Sequence, residues 1–156
     1  MRRKERAVTA PTAIREILDQ CQVCRLALWD REGPYIVPMS FGYTYEDGQL
    51  ALYFHSALEG RKIDALQKDP RAAFELDCQL AVRGGETACG YTCLYRSVTG
   101  TGTVTFLTDP ADKRRALAHI MARQTGREDF AIPDQSLDRV AVFRLDAETF
   151  SGKQNI

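Results

Sequence analysis

The stretch "LALYFHSALEGRKIDAL", Leu50–Leu66, passes from a strand-like apolar run to a helix-like pattern. The change falls at His55–Ser56, and the basic pair Arg61–Lys62 follows in the helical part. Ser56 with Glu59 three residues later matches a capping box, which predicts a helix that begins at Ser56. A helix N-terminus also offers unpaired N–H groups and the positive end of its dipole, to which the polar and basic side chains add donors. The junction is therefore interpreted as a helix cap, an anion site, or both.

Strand-like runs lie on both sides of this junction. "VCRLALW", "YIVPMSFGYTY" and "LALYFH" are separated by the turn sequences "DREGP" and "EDG", and "RAAFELD", "YTCLYRSVTGTGTVTFL" and "RVAVFRLD" follow the helix, leaving "AETFSGKQNI" as a tail. Gly100 and Gly102 within a strand indicate a bulge or a bend. Strands joined by short hairpins, with few helices between them, favour antiparallel pairing. The predicted fold is mainly β, a six-stranded antiparallel split β-barrel with added helices.

Two further helices are predicted outside the junction. "PTAIREILDQC" starts with a proline suited to a first helical turn and repeats apolar side chains on one face, at Ile14, Ile17, Leu18 and Cys21. "TDPADKRRALAHIMARQTG" has an acidic start, Pro110 near its first turn and Gly126 as a stop. Its predicted core face consists of Ala116, Leu117, Ile120 and Met121.

The length and charge of the chain limit its function class. At 156 residues it fits one domain, assigned to 11–156, with 1–10 as a flexible N-terminal segment. Lys plus Arg equal Asp plus Glu at 21 each, so no overall field favours nucleic acid or an anionic membrane. No apolar h-region follows the basic start, and no run approaches the ~18 apolar residues of a membrane span. We therefore expect a cytoplasmic protein that binds neither nucleic acid nor membrane.

Five cysteines without an export signal are interpreted as thiols rather than as disulfides. Cys21 and Cys24 form a CxxC, and Cys89 and Cys93 are a second close pair, so the spacing allows a four-thiolate zinc site as the alternative to ordinary burial. Cys21 and Cys24 continue apolar patterns, which favours small buried side chains. We predict no metal, and faster reaction of Cys89 and Cys93 in a glycine-rich, mobile loop.

Other chemical signatures are weak. No GxSxG motif supports a hydrolase, and the "GTG" of Gly100–Gly102 lacks the third glycine of a dinucleotide fingerprint. Pro38 is more informative, because proline within a strand implies an edge or a bulge with free backbone groups nearby. The edge of a flavin ring would suit Val37–Ser40, although a barrel-corner proline explains Pro38 equally well.

The segments "VPMSF", "YFHSALEGRK" and "CLYRSVTGTG", in this order, resemble the pyridoxamine 5′-phosphate oxidase-like flavoproteins, and most closely the nitroimidazole-resistance (Nim-type) branch. The resemblance extends from the first helix to the terminal "FSGKQ". It implies an FMN-binding split barrel that forms a homodimer with the flavin between subunits. Three groups of residues would line the site: Val37, Pro38, Met39 and Ser40 along the ring and ribityl chain, Phe54, His55, Ser56, Gly60 and Lys62 around the phosphate, and Arg96, Ser97 and Val98 from the later strand.

The activity that the resemblance implies is an FMN-dependent oxidoreductase, nitroreductase-like or pyridoxamine-phosphate-oxidase-like. Electrons would pass from a reduced nicotinamide to a small electron-poor acceptor of the nitroaromatic type, with no side chain required as a covalent catalyst. The alternative is a non-catalytic carrier or sensor that holds a flavin or haem, with His55 as an axial ligand to the haem iron.

Overall fold

The computed structural model describes residues 3–127 and 129–156. Its helices are α1 (Pro11–Gln20), α2 (Arg61–Lys68), α3 (Pro110–Thr125) and α4 (Asp134–Leu137), with single helical turns at Lys4–Arg6 and Ala88–Gly90. Its strands are β1 (Ala7–Val8), β2 (Cys24–Asp30), β3 (Gly33–Met39), β4 (Gly42–Glu46), β5 (Gln49–Ser56), β6 (Arg71–Arg83), β7 (Thr92–Phe106) and β8 (Ala141–Asn155).

The strands form one antiparallel sheet in the order β3-β2-β6-β7-β8-β5-β4, with β1 added beside β8. β3 and β4 are consecutive in the chain but occupy opposite ends of this path, joined only by Ser40–Phe41. The sheet therefore curls back on itself without closing, and the predicted split barrel is confirmed. The described residues contain eight strands rather than six, because the run from Tyr35 to Tyr45 breaks into two strands and Ala7–Val8 adds another.

The last strand is longer than the sequence predicts. β8 continues to Asn155, so most of the segment interpreted as a tail is paired with β7, and Lys153 and Gly152 also pair with β1. Sequence alone predicts a flexible segment over 1–10, and within it the structure places β1, where Val8 is buried. The two ends of the chain thus lie side by side in the sheet.

The packing of α1 agrees with its sequence pattern, and that of α3 agrees only in part. Ile14, Ile17, Leu18 and Cys21 are all buried, which confirms the apolar face of α1. In α3 the Asp109 side chain accepts hydrogen bonds from the N–H groups of Ala111 and Asp112, and Gly126 ends the helix in the left-handed conformation. Only two of the four residues predicted for its core face, Ala116 and Ile120, are buried.

Gly100 and Gly102 allow β7 and β8 to approach closely. The pairing register shifts between Thr101 and Gly102, which confirms the predicted bulge. A Cβ at Gly102 would collide with the carbonyl of Asp146, and one at Gly100 would collide with the carbonyl of Thr149. The glycines are therefore required by packing, because any larger side chain would push the two strands apart.

In the part of the chain that the structure describes, no helix is both long enough and apolar enough to cross a bilayer.

Candidate functional site

The barrel opens between β3 and the end of β5. β4 pairs with β5 only as far as the Gly42–Tyr53 pair, whereas β5 continues to Ser56. Within the described residues, Phe54–Ser56 therefore have β8 on one side and no strand on the other. β3 likewise pairs with β2 alone. Because Ser40–Phe41 leads directly from the end of β3 into β4, both open edges border the same gap. The structure thereby brings Val37–Ser40 and Phe54–Ser56 to one place.

β3 forms one wall of this gap as an edge strand. Pro38 lies opposite Arg25 of β2, so its position at a sheet edge, predicted from the sequence, is confirmed. Val37 and Met39 turn toward the core, whereas Pro38 and Ser40 are exposed. The backbone groups of β3 that point away from β2 have no strand partner in the part of the chain that the structure describes, and they can bind a ligand edge.

The helix beside the gap begins later than the sequence predicts, and the capping-box prediction is wrong. Ser56 is the last residue of β5, where pairing with Ala141 keeps the backbone extended, and its hydroxyl donates to the carbonyl of Ala57 at 2.8 Å. Gly60 is the N-cap residue at φ +130°, a conformation that favours glycine, and no side chain among residues 3–127 and 129–156 caps α2. Glu59 therefore has no capping role.

The open N-terminus of α2 leaves polar groups free. The carbonyl of Gly60 accepts the N–H groups of Ile63 and Asp64, so the helix provides no partner for the N–H groups of Arg61 and Lys62. Lys62 is half-buried and forms no ion pair with any of the described residues. These groups together suit an anion.

Arg61 is occupied elsewhere. Its Nε donates to Asp30 at 2.5 Å, its Nη2 lies 3.5 Å from Glu32, and its guanidinium lies over the ring of Tyr35. The hydrogen bond from Arg61 lowers the pKa of Asp30, which keeps this carboxyl ionised. Of the basic pair Arg61–Lys62, the first residue thus anchors the helix and only the second remains available for a ligand.

His55 lies at the open end of β5 with an exposed side chain. Partial desolvation lowers the pKa of its imidazole below the usual value near 6.5. The ring is therefore neutral at pH 7 in the free protein. A neutral imidazole can donate from one ring nitrogen and accept or coordinate through the other.

The residues predicted on β7 do not join this gap within one chain. Arg96 and Val98 pair with Gln154 and Gly152, near the end of β8 opposite to the end that pairs with Ser56. Val98 is fully buried in the core. Of the predicted group Arg96–Val98, only Ser97 lies on the outer face of the sheet, half-buried beside Lys153.

The side chain of Arg96 is turned toward α1. It is 9% exposed, and its Nη2 donates to Glu16 at 3.1 Å. Its Nε is buried and has no hydrogen-bond partner in the described chain. The guanidinium therefore serves the packing of α1 within its own chain.

β2 and β3 have an apolar outer face, which the sequence analysis does not predict. Trp29 and Ile36 are 63% and 65% exposed, and a groove of about 580 Å³ beside them is lined by Trp29, Pro34, Ala73 and Thr101, among others. β2 and β3 carry large apolar residues at successive positions, so both faces of these strands are apolar, and this pattern indicates strands that are buried on both faces.

The cysteines divide by burial. Cys21 and Cys24 are fully buried, and burial raises the pKa of both thiols. Cys89 and Cys93 are exposed on the hairpin between β6 and β7. In residues 3–127 and 129–156, no three or more His, Cys, Asp or Glu side chains gather as metal ligands would.

An antiparallel sheet that closes everywhere except at one gap, with a free helix N-terminus beside that gap, defines a split β-barrel with a candidate anion site. The family model described as pyridoxamine 5′-phosphate oxidase matches residues 11–154. The chain therefore belongs to this family, as the resemblance predicts. No curated protein sequence matches it significantly.

Solved structures support the same assignment. The chain is 30% identical to a candidate 5-nitroimidazole antibiotic resistance protein of Bacteroides thetaiotaomicron, with 95% of this chain and 86% of that one covered and a TM-score of 0.82. A flavocytochrome of Azotobacter vinelandii is 19% identical, covers 100% and 72% of the two chains, and gives a TM-score of 0.81. An FAD- and haem-binding protein of Mycobacterium smegmatis is 21% identical, with 96% and 73% covered and a TM-score of 0.80. At 19% and 21% identity, the likeness to these last two structures shows a shared fold alone.

Proposed function

We propose that the protein binds FMN in the gap between β3 and β5 and passes electrons from a reduced nicotinamide to a small electron-poor acceptor of the nitroaromatic type. The observation that carries this proposal is the meeting of two unpaired strand edges, Val37–Ser40 and Phe54–Ser56, beside the uncapped N-terminus of α2. Family membership and the 30% identical candidate nitroimidazole resistance protein support the choice of cofactor and acceptor.

At the proposed phosphate end of the gap, the hydrogen-bond donors suit the phosphate of FMN. The free N–H groups of Arg61 and Lys62 are donors, as is the Lys62 ammonium, which forms no ion pair within the described residues, and Gly60 keeps the approach open because it has no side chain. The Ser56 hydroxyl would join them by turning away from the carbonyl of Ala57. Hydrogen bonds from a cation to a phosphate are among the strong ones. The exposed imidazole of His55 adds a further donor at this end.

The ring end of the gap fits a flat heteroaromatic group. The free backbone edge of β3 at Val37–Ser40 presents N–H and C=O groups that can pair with the polar edge of an isoalloxazine. Phe54 is fully buried and stacks on Phe143 at 5.5 Å, so it supports the floor of the site rather than touching the ring. When bound, FMN would supply the redox chemistry, and these residues would position the ring and limit its exposure to water.

The geometry also favours two chains in one site. Ser97 and the Phe54–Ser56 segment lie toward opposite ends of β8, so one flavin can touch both only if the second chain provides Ser97. The exposed apolar face around Trp29 and Ile36 is a surface that a second copy would cover. We therefore propose a homodimer with the flavin between subunits. Because the Arg96 guanidinium is bound to Glu16, the contribution of β7 would come from the Ser97 hydroxyl and the adjacent backbone.

An absorbance spectrum of the purified protein tests the proposal most directly. Bound FMN gives two bands in the visible range, and NADH or NADPH should bleach them without oxygen until a nitroaromatic acceptor restores them. FMN should bind more tightly than riboflavin, which lacks the phosphate. Equal affinity for the two ligands would contradict the assigned phosphate site, and bands that no nicotinamide bleaches would contradict the oxidoreductase.

A second candidate function is a non-catalytic haem or flavin carrier. It is favoured by His55, whose exposed imidazole is neutral at pH 7 because its pKa is lowered, as an axial ligand to haem iron requires. A Soret band on addition of haem that disappears in His55→Ala would support it. Haem binding unchanged by that substitution would exclude His55 as the ligand.

A further inference from the structure

Two cysteines that are distant in sequence meet between α1 and β6. Cys21 directly follows α1 and is fully buried, whereas Cys78 is half-buried in β6, where a bulge separates it from Ala81. The Cys78 thiol donates to the side-chain oxygen of Gln20, with 3.8 Å between the atoms. Cys21 is the residue after Gln20 and α1 packs on β6, so the two thiols lie close enough for each to shift the pKa of the other. The two cysteines are thus neighbours, with the Cys78 sulfur partly accessible to solvent and the Cys21 sulfur enclosed.

Arg96 lies beside the more accessible thiol. It is the direct partner of Cys78 in the β6–β7 ladder, and paired residues of an antiparallel ladder project to the same face. The Arg96 side chain is buried, and its Nε has no partner among the described residues. Burial raises the pKa of Cys78, and the positive charge of Arg96 opposes this effect. An anionic sulfur or a sulfenic oxygen at Cys78 would give the unpaired N–H a partner.

We propose that Cys78 is an oxidation site for hydrogen peroxide and that Cys21 is its resolving thiol. The Cys78 thiolate attacks one peroxide oxygen, the O–O bond breaks, and the sulfur becomes a sulfenic acid while the released hydroxide takes up a proton to form water. The sulfur of Cys21 then attacks the sulfur of Cys78, and the S–O bond breaks. The leaving hydroxide takes the proton of the Cys21 thiol, so two thiols and one peroxide yield one disulfide and two waters.

The other three cysteines lack this arrangement. Cys24 is fully buried, without the access that peroxide needs. Cys89 and Cys93 are exposed, and the Cys93 thiol donates to the carbonyl of Leu94 rather than to another sulfur. The Cys21–Cys78 bond would tie the end of α1 to β6 and should raise the thermal midpoint of the oxidised protein.

The test uses the full chain with Cys89→Ser and Cys93→Ser, which removes the exposed thiols that would also be oxidised. Treatment with hydrogen peroxide should remove two hydrogen atoms from the intact mass, and proteolytic peptides containing Cys21 and Cys78 should be linked until dithiothreitol separates them. The thermal midpoint should rise on oxidation and fall back on reduction. Absence of the linked peptide after complete oxidation would overturn the proposal.

Single substitutions assign the two roles. Cys21→Ala should stop the reaction at a sulfenic acid on Cys78, detected as a dimedone adduct, whereas Cys24→Ser should still form the linked peptide. Arg96→Met should slow the oxidation several-fold, and Arg96→Lys should restore part of the rate because it keeps the charge. Absence of the dimedone adduct on Cys78 in Cys21→Ala, or an unchanged rate in a folded Arg96→Met protein, would contradict the assigned roles. If Arg96→Met does not fold, its oxidation rate cannot be compared with that of the wild type. Dimedone labelling of Cys78 in Cys21→Ala at increasing peroxide concentrations then tests the oxidation site instead.

Discussion

The guanidinium of Arg61 lies over the ring of Tyr35, with 4.2 Å between its central carbon and the ring centroid, while its Nε donates to Asp30. This contact holds the first turn of α2 against the hairpin between β2 and β3. It therefore sets the position of the helix N-terminus relative to β3, the strand that forms one wall of the gap.

Arg61→Ala should loosen this junction without unfolding the barrel. Arg61 is about half exposed, so the ion pair is screened by solvent and its loss should lower the thermal midpoint only slightly, and less at high salt. FMN affinity should fall more than stability, because the helix N-terminus is no longer held in place. Arg61→Lys should restore the charge but not the stacking. A lower thermal midpoint with unchanged FMN affinity would show that the Arg61 contact with Tyr35 and Asp30 is only structural.

Lys62→Ala should weaken FMN binding by roughly tenfold or more, because a hydrogen bond to a charged group contributes about 1.5–3 kcal/mol. Riboflavin affinity should change little, since riboflavin has no phosphate. Fluorescence titration with both ligands measures the difference. Lys68→Ala, on the last turn of the same helix, is the matched control and should leave both affinities unchanged.

The pH dependence of stability should contain a contribution from His55. The folded protein lowers the pKa of His55, so below the usual value near 6.5 the unfolded chain binds more protons than the folded one. Stability from this group is therefore fully present above about pH 6.5 and is lost as the pH falls toward the lowered pKa. When the pH is lowered from 7.5 to 5.5, the thermal midpoint of His55→Gln should fall less than that of the wild type.

His119→Gln controls for removal of an imidazole elsewhere in the chain. If His55→Gln and the wild type lose the same midpoint over this pH interval, the desolvation of His55 does not contribute to stability.

Trp29 should report the proposed dimer. It is the only tryptophan of the chain and is 63% exposed in one protomer, so burial against a second copy should shift its fluorescence to shorter wavelength. Ile36→Asp, beside it on the same face, should shift the emission to longer wavelength and give a monomer mass in sedimentation, with loss of FMN. Gln49→Asp, at the exposed turn between β4 and β5, should stay dimeric. A wild-type monomer with bound FMN would contradict a flavin held between subunits.

Gly102→Ala should destabilise the fold by roughly 1–3 kcal/mol, the range typical of overpacked sites, because its Cβ would collide with the carbonyl of Asp146. Denaturant unfolding measures this change. Gly84→Ala is the control, since its Cβ would meet only the Tyr91 ring at ordinary contact distances. Equal stability of the two variants would mean that β7 and β8 separate at little cost.

Features with a local cause could be predicted from the sequence. The apolar spacing of α1, the end of α3 at Gly126, the bulge at Gly102 and the edge position of Pro38 all depend on neighbouring residues or on backbone chemistry. Each of these predictions is confirmed. The predicted start of α2 at Ser56 is wrong, because Ser56 pairs with Ala141 of β8, and this distant strand keeps the backbone extended despite the local capping signal.

Alternation, turns and helix signals act over short range, so they predict a mainly β barrel with a polar, basic junction where the strand at Leu50–His55 passes into a helix. Three features could be seen only in the folded chain: Val37–Ser40 and Phe54–Ser56 share a gap, Arg61 is paired whereas Lys62 forms no ion pair within the described residues, and Arg96 faces α1. These outcomes depend on which distant strands pair and on which side chains compete for the same carboxylate. Asp30 and Glu16 lie far from Arg61 and Arg96 in sequence, so their ion pairs are defined only once the sheet has curled.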